Sequence, residues 1–190
     1  MVFINQVFTK EYFRETVFSK AEYENCSFKN CDFSNLDFSG CTFIDCVFTG
    51  CNLSLCKLNK TVFREVKFSE CKMLGLQFQN CNEFGLSFTV EACVMDHSSF
   101  YRRKLKNTLF KNTQLAEVDF ASCDLTGSLF DNCDFRNAIF ENSVLEKADF
   151  RTSYNYIIDP ETNRIKRAKF SLSQVAGLLT RYDIEIDGTN

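Results

Sequence analysis

The chain has 190 residues, with 22 Lys and Arg against 25 Asp and Glu, and its formal net charge of −3 excludes a strongly basic or strongly acidic protein. This length is typical of one domain. No apolar run approaches the roughly 18 residues of a membrane span, so we expect no membrane helix. The chain does not begin with basic residues followed by an apolar stretch, so we expect no signal peptide.

The cysteine content is high for such a chain, at 11 residues. Without a secretory signal this content favours a reducing, cytoplasmic location. Cys31, Cys51 and Cys71 stand at equal spacing, so a repeat of that length would stack them, and distance alone would permit a bridge. Because the stacked side chains would be parallel and in register, we instead expect these cysteines to be unbridged and to act as small, buried apolar residues. No CxxC pair occurs, and we expect no metal and no cofactor.

A period of five residues begins at the amino end with Phe3, Phe8, Phe13, Phe18 and Tyr23 and becomes regular from residue 26. Each unit has a large apolar residue at its centre and a small or apolar residue two places earlier. Twenty of the 22 phenylalanines occupy centres, and all 11 cysteines stand two residues before one. This period fits neither a helix nor a strand, and a repeat architecture follows.

A five-residue period requires the backbone to turn a corner about once per unit if every centre is to point inward. Four corners close a square coil, and successive coils then stack like parallel strands about 4.8 Å apart. The large residues fill the axis of the tube, the small residues two places earlier face inward where less room remains, and the other three positions face solvent. We therefore predict an all-β solenoid in which each coil covers the edge of the previous one.

The register breaks at about residues 82–97. Glu83 occupies a centre, and we expect a bulge in which the neighbouring Phe84 takes its place. Phe88 and Met95 are seven residues apart instead of five, which predicts a two-residue insertion in a small loop at 89–92. Candidate residues of this break are Val90, Glu91, Ala92, Asp96, His97, Arg102 and Arg103. A break in a regular scaffold is a typical place for function, but a functionally neutral register slip is equally compatible with the sequence.

Two residues of this region have unusual positions. Arg103 stands at an inward position where a small residue is expected, so it must extend its charge to solvent or distort its corner. His97 is the only histidine, and without a nucleophile or carboxylate motif beside it we interpret it as a loop residue.

An acidic segment follows in regular register at 113–150. Against two bases, Arg136 and Lys147, it carries eight acids, which are Glu117, Asp119, Asp124, Asp131, Asp134, Glu141, Glu146 and Asp149. Such a cluster is either an ordinary solvated surface or a negative surface for a basic partner.

The pattern changes after Phe150, which divides the chain into repeats at 1–153 and a C-terminal cap and dimerisation segment at 154–190. Pro160 predicts a turn, after which Ile165 and Phe170 recover the register. A short helix and a strand at Ile184–Ile186 are expected to close the tube. This segment has more apolar residues than are needed to cover the open end of the tube. We therefore expect a dimer interface here, with a monomeric cap as the alternative. The candidate interface residues are Leu172, Val175, Leu178, Leu179, Tyr182, Ile184 and Ile186.

The repeat unit resembles that of the pentapeptide-repeat proteins, which implies a right-handed quadrilateral β-helix. The C-terminal pattern Asp159-Pro160-x-x-Asn163, followed by helix and strand, is similar to the cap of the Qnr quinolone-resistance family. This resemblance implies a dimer joined through its C-terminal caps. It also implies binding to DNA gyrase and topoisomerase IV by partial mimicry of DNA, and protection of these enzymes from fluoroquinolones.

Alternatives to a gyrase-binding protein remain open at this stage. A protein–protein interaction scaffold for another partner fits the acidic centre and basic flanks equally well. An enzyme is disfavoured because a filled β-helix offers no pocket and no reacting constellation of residues. We expect no direct binding of nucleic acid, since the basic residues from Arg102 to Lys106 have few interleaved aromatics.

Overall fold

One turn of the coil takes twenty residues, as the pairing of Phe28 with Phe48 shows. The computed structural model describes residues 1–15 and 17–187, and all strand pairs in this part of the chain are parallel. The predicted all-β solenoid is confirmed. Among the described residues, no helix is both long and apolar enough to pass through a membrane.

Within the residues described, eleven short strands and one helical turn form the coil. The strands are β1 (Val2–Ile4), β2 (Val7–Thr9), β3 (Glu22–Glu24), β4 (Ser27–Lys29), β5 (Thr42–Ile44), β6 (Val47–Thr49), β7 (Val62–Arg64), β8 (Val66–Ser69), β9 (Phe88–Glu91), β10 (Leu109–Lys111) and β11 (Leu129–Asp131). The α-helical turn α1 (Tyr12–Glu15) interrupts the first coil. Short 3-10 helices span Phe78–Asn80, Leu172–Leu178 and Thr180–Tyr182.

The tube has four faces. The first face carries the sheet β1-β3-β5-β7, and the second carries the seven-stranded sheet β2-β4-β6-β8-β9-β10-β11. Isolated parallel bridges, such as Asp32 to Asn52 on the third face and Asp37 to Lys57 on the fourth, hold the remaining faces. Bridges continue on the second face to Lys169, so the repeat pairing extends past residue 153.

Most corners are made by a residue in the left-handed conformation, two places after the centre. Asn25, Asn30 and Asn35 have φ between 51° and 62°, and Gly40 and Gly50 take the same role. Asparagine and glycine tolerate positive φ better than most residues, which explains their frequency at these sites. Some corners of neighbouring coils are also joined by a hydrogen bond between side chains. For example, the Asn25 side-chain amide donates to the side-chain oxygen of Asn5 at 2.6 Å.

Aromatic rings fill the axis of the tube. From Tyr23 to Phe78 and from Met95 to Phe150 every fifth residue is buried. Rings stack along a face, with Phe28 and Phe48 centroids 4.5 Å apart, and meet edge to face around the coil, as for Phe43 and Phe48 at 5.4 Å. Offset stacks and edge-to-face pairs are the favoured geometries of aromatic side chains, so the pattern combines burial with specific packing.

The small inward residues also connect neighbouring coils. The Cys51 thiol donates to the Phe28 carbonyl at 3.4 Å, and the Thr61 and Ser128 hydroxyls make the equivalent bonds at 2.8 and 2.6 Å. All 11 cysteines are buried and unbridged. A small residue with one donor satisfies both the limited space and a buried carbonyl, which explains the choice of Cys, Ser and Thr.

The register break lies within the predicted range 82–97, but its two extra residues are not where they were predicted. Strands β8 and β9 pair with a step of 22 residues, Val66 with Phe88 and Phe68 with Val90. The two extra residues lie in the loop 82–87, because Asn82 still bonds to Thr61 in the regular pattern while Ser87 already bonds to Phe63. The insertion predicted at 89–92 is therefore wrong, and these residues continue β9 into the next corner.

The bulge predicted at Phe84 is also wrong. Its ring is 77% exposed, and Glu83 beside it is exposed too. Val90 is the central residue of this coil on the second face, and Phe88 takes the inward position above Val66. Arg103 was predicted to extend its charge to solvent or to distort its corner. The corner is regular, since the Arg103 backbone amide donates to the Phe100 carbonyl at 2.8 Å, and the side chain is half-buried.

The C-terminal end closes the tube with a hydrogen-bonded cap. Asn163 accepts from the Ser143 amide at 2.8 Å and donates to the Asp159 carbonyl at 3.0 Å, and Arg181 pairs with the Asp159 carboxylate at 2.9 Å. Leu178 is buried against the last coil. Gly177 is required next to it, because a side chain there would overlap the Tyr156 carbonyl oxygen.

The predicted C-terminal helix is thus present as 3-10 helix, but residues 183–187 form no strand, which corrects that part of the prediction. The last three residues of the predicted 154–190 segment lie outside the described residues.

Candidate interaction surface

The eight acids of the 113–150 segment are spread around the tube and do not form one surface. Those on the first, second, third and fourth faces are Asp124, Asp149, Asp134 and Asp119, as their bridges show. Of the others, Glu117 is a corner residue, and Asp131, Glu141 and Glu146 each directly follow a central residue. A single acidic face is therefore absent from this segment.

Five of these acids already have a cationic or imidazole partner. The pairs are Glu117 with His97 at 3.2 Å, Asp124 with Lys106 at 3.1 Å, Asp134 with Arg136 at 3.1 Å, Glu146 with Arg164 at 2.7 Å and Asp149 with Arg151 at 2.8 Å. The hydrogen bond from Arg151 lowers the pKa of Asp149 below its ordinary value. Most of the partners come from outside the segment, so the local charge is more balanced than the sequence suggests.

Several aspartates have a structural role as well. Asp119 accepts the amide of Ala121 at 2.8 Å, and Asp134 accepts the amide of Arg136 at 3.1 Å. Such bonds from an aspartate to the backbone two residues on stabilise turns. The carboxylates of this segment that lack an ion pair in the described part of the chain are Asp119, Asp131 and Glu141.

A groove of about 420 Å³ opens on the fourth face beside the cap, and it brings one of these free acids next to apolar residues. Ile139 and Ile157 line it and are exposed, and Glu141 and the paired Asp159 stand at its sides. Asp119 neighbours Ile139 in the bridge that joins their coils. The groove therefore combines an apolar floor with negative edges, which fits a basic protein surface.

The seven residues predicted at a dimer interface divide into two groups. Leu178 is buried and Val175 is half-buried against the core, so these two close the tube. Leu179 is also half-buried. The exposed members are Leu172 at 91%, Tyr182, Ile184 and Ile186. Four large apolar side chains thus lie in solvent at one end of the rod.

The residues predicted at the break do not lie together. Val90 is in the core, and Glu91 pairs with Lys67 and Lys111 on the second face. Ala92 and His97 are corner residues with positive φ, and Asp96 accepts the Ala116 amide at 3.0 Å. Only Arg102 and Arg103 neighbour the loop 82–87.

No group of three or more His, Cys, Asp or Glu among the described residues is arranged to hold a metal ion. The loop residues Phe84 and Leu86 were not predicted as site residues. Counting the period backwards from Met95 by one unit makes Val90 a centre, which would have located the loop because both extra residues then fall before Phe88.

The family model for the pentapeptide repeat region matches residues 21–90 and 87–154. The chain belongs to the pentapeptide-repeat family. The match includes the loop 82–87 and ends where the cap begins. No curated protein matches this pentapeptide-repeat chain.

Solved pentapeptide-repeat structures share the fold. A trypsin-treated variant of QnrB1, described as a plasmid-mediated fluoroquinolone resistance protein, aligns over 99% of both chains with 17% identity and a TM-score of 0.62. Full-length QnrB1 covers 97% of this chain and 100% of its own, with 17% identity and a TM-score of 0.57. HetL of Nostoc sp. strain PCC 7120, involved in heterocyst differentiation regulation, aligns over 90% and 85% with 12% identity and a TM-score of 0.59.

Proposed function

We propose that this pentapeptide-repeat protein is a non-catalytic homodimer that binds DNA gyrase or topoisomerase IV in the cytoplasm and protects the enzyme from fluoroquinolones. The C-terminal end carries the proposal. The residues that resemble the Qnr cap form a closed plug through Asp159 and Asn163, and large apolar residues remain exposed beyond it. The fluoroquinolone resistance described for QnrB1, whose fold matches over the whole length, supports the same function.

The tube can act only through its outside, because its axis is filled by aromatic rings. We place the topoisomerase contact at the fourth-face groove, which Glu141 lines together with Ile139 and Ile157, and at Asp119, which neighbours Ile139 in the adjacent coil. An enzyme surface built to bind DNA is basic, so free carboxylates beside an apolar floor are complementary to it. Mimicry of DNA is then local, since most other acids of the segment are paired.

The exposed tail supports the proposed homodimer. Four large apolar side chains lie beyond the plug, and their exposure to water is unfavourable in a monomer: Leu172, Tyr182, Ile184 and Ile186. A two-fold partner would cover these residues with the same residues of a second copy. Two rods joined end to end would place both fourth-face grooves near the centre of the assembly.

A supercoiling assay tests the function. We expect the wild-type protein to restore gyrase supercoiling in the presence of ciprofloxacin in a dose-dependent way. The double variant Asp119→Asn and Glu141→Gln should need about tenfold more protein, since each lost charged contact is worth about 1 kcal/mol or slightly less at an exposed site. The amide oxygen introduced at position 119 can still accept the turn hydrogen bond, so the fold is preserved.

The matched control is the double variant Glu22→Gln and Glu24→Gln, which removes two exposed carboxylates from the first face. It should rescue supercoiling like the wild type. No rescue by the wild-type protein at any concentration would refute the proposed function, and equal loss in both double variants would refute the fourth-face contact.

A further inference from the structure

The loop 82–87 presents an exposed phenylalanine on a fixed backbone. The Phe84 amide donates to the Asn82 side chain at 2.9 Å, and the Ser87 hydroxyl accepts the Glu65 amide at 2.8 Å. Gly85 has a φ of +76° and lies against the Arg64 guanidinium. Because both ends of the loop are bonded, the Phe84 ring is held in solvent although the core lies beneath it. An exposed aromatic ring on an ordered loop is typical of a contact residue.

Three cations of the next coil lie beside this ring. Arg102, Arg103 and Lys104 line a cavity of about 150 Å³ together with Glu83, Phe84 and Leu86. None of the ion pairs in the described part of the chain includes any of these three cations or Glu83. The Arg102 guanidinium stacks over the Tyr101 ring at 4.9 Å, which orients its charge. The lining therefore has an excess of unpaired positive charge.

Arg103 is the unusual member of this set. It stands where the other coils have Cys, Ser, Thr or Ala, and its Nε is buried with no hydrogen-bond acceptor. A buried, unsatisfied donor on a charged group is costly, whereas a carboxylate that binds the guanidinium forms a strong, often bidentate pair. No carboxylate of the described chain pairs with this guanidinium, so an acid from another molecule would stabilise it.

We propose that Phe84, Arg102, Arg103 and Lys104 form an anion-binding site for an acidic segment of a partner protein, with a Glu or Asp side chain in the cavity and an apolar residue against Phe84. We call these four residues the loop patch. The site is distinct from the fourth-face groove and does not depend on the partner being a topoisomerase.

An acidic peptide fits the loop patch better than a nucleic acid does. Proteins that bind DNA through its backbone commonly make about 6–10 phosphate contacts along the duplex. Here the three cations converge on one small cavity that Glu83 also lines, and Glu65 and Asp124 stand in the neighbouring coils. These acids would repel a continuous phosphate backbone but leave room for one carboxylate at a time.

Fluorescence anisotropy with a fluorescein-labelled peptide of five glutamates and one central leucine tests the site on the full chain without any topoisomerase. We expect saturable binding that weakens with salt. The double variant Arg102→Glu and Lys104→Glu should bind at least about tenfold more weakly, because two charges that attract the peptide become charges that repel it. Phe84→Ala should also weaken binding, and Glu83→Gln should strengthen it by removing the one carboxylate of the lining.

The matched control is Lys57→Glu with Lys72→Glu, which makes the same change in net charge at two exposed lysines on the fourth and third faces. It should retain the affinity within about twofold, and circular dichroism should show the same β signal for all variants. Equal loss in both double variants would overturn the site in favour of non-specific attraction. Tighter binding of a DNA duplex than of the peptide, or no binding of the peptide, would also overturn it.

Discussion

Replacing Phe48 with alanine is expected to lower the free energy of unfolding by about 3–5 kcal/mol. Phe48 is fully buried, and its ring stacks between Phe28 at 4.5 Å and Phe68 at 5.3 Å. Its edge also meets Phe43 at 5.4 Å. Neighbouring rings belong to closed coils whose backbones are hydrogen-bonded on both sides, so the surroundings cannot collapse into the space left by the ring.

Urea denaturation followed by circular dichroism measures this effect. The matched control is Phe84→Ala, which removes the same side chain from an exposed position and should change the free energy of unfolding by less than about 0.5 kcal/mol. If the two variants were destabilised equally, the assignment of Phe48 to the core and of Phe84 to the surface would be contradicted.

Substituting glutamate for both Ile184 and Ile186 is expected to convert the proposed dimer into a monomer. Both side chains are exposed, at 55% and 53%, beyond the plug that Leu178 completes. Burying one Ile side chain is worth about 1.5–3 kcal/mol, and each substitution occurs twice in a two-fold interface. The dissociation constant should therefore rise by at least about 100-fold.

Sedimentation equilibrium over a range of concentrations gives the measurement. The variant Val2→Glu with Ile4→Glu is the control, because it places the same charges on exposed apolar positions of β1 at the opposite end of the rod. It should remain a dimer. A wild-type protein that sediments as a monomer at every concentration, or equal dissociation of both variants, would contradict a dimer through the C-terminal end.

The tube could be predicted from the sequence because one physical requirement, an inward residue every five positions, is repeated along nearly the whole chain. Tyr23, Leu53 and Met73 depart from phenylalanine but are buried like it, so the position determines burial more than the residue type does. The period predicts that the backbone turns a corner in each unit, but it does not predict which residue makes the corner. The structure shows that most corners depend on a left-handed residue, such as Asn25, two places after the centre.

The candidate site was harder to predict, because the repeat only states whether a residue faces in or out. It does not state which outward side chains are paired. Asp134 and Asp149 look like free charges in the sequence, yet they bind Arg136 and Arg151 and stabilise turns. Phe84 was misplaced because its ring favours burial, whereas the inserted residues around it form an outward loop.

The most direct test of the account is the reaction of the folded protein with Ellman's reagent. All 11 thiols lie inside the tube, and burial raises the pKa of Cys46, Cys56 and Cys133 to about 12. Hydrogen bonds with the neighbouring thiols lower the pKa of Cys51 and Cys93, but burial inside the tube keeps the reagent away from these thiols too. We expect no labelling of the native protein at neutral pH and labelling of all 11 thiols after denaturation in guanidinium chloride. Rapid labelling of several thiols in the native protein would contradict a single filled tube.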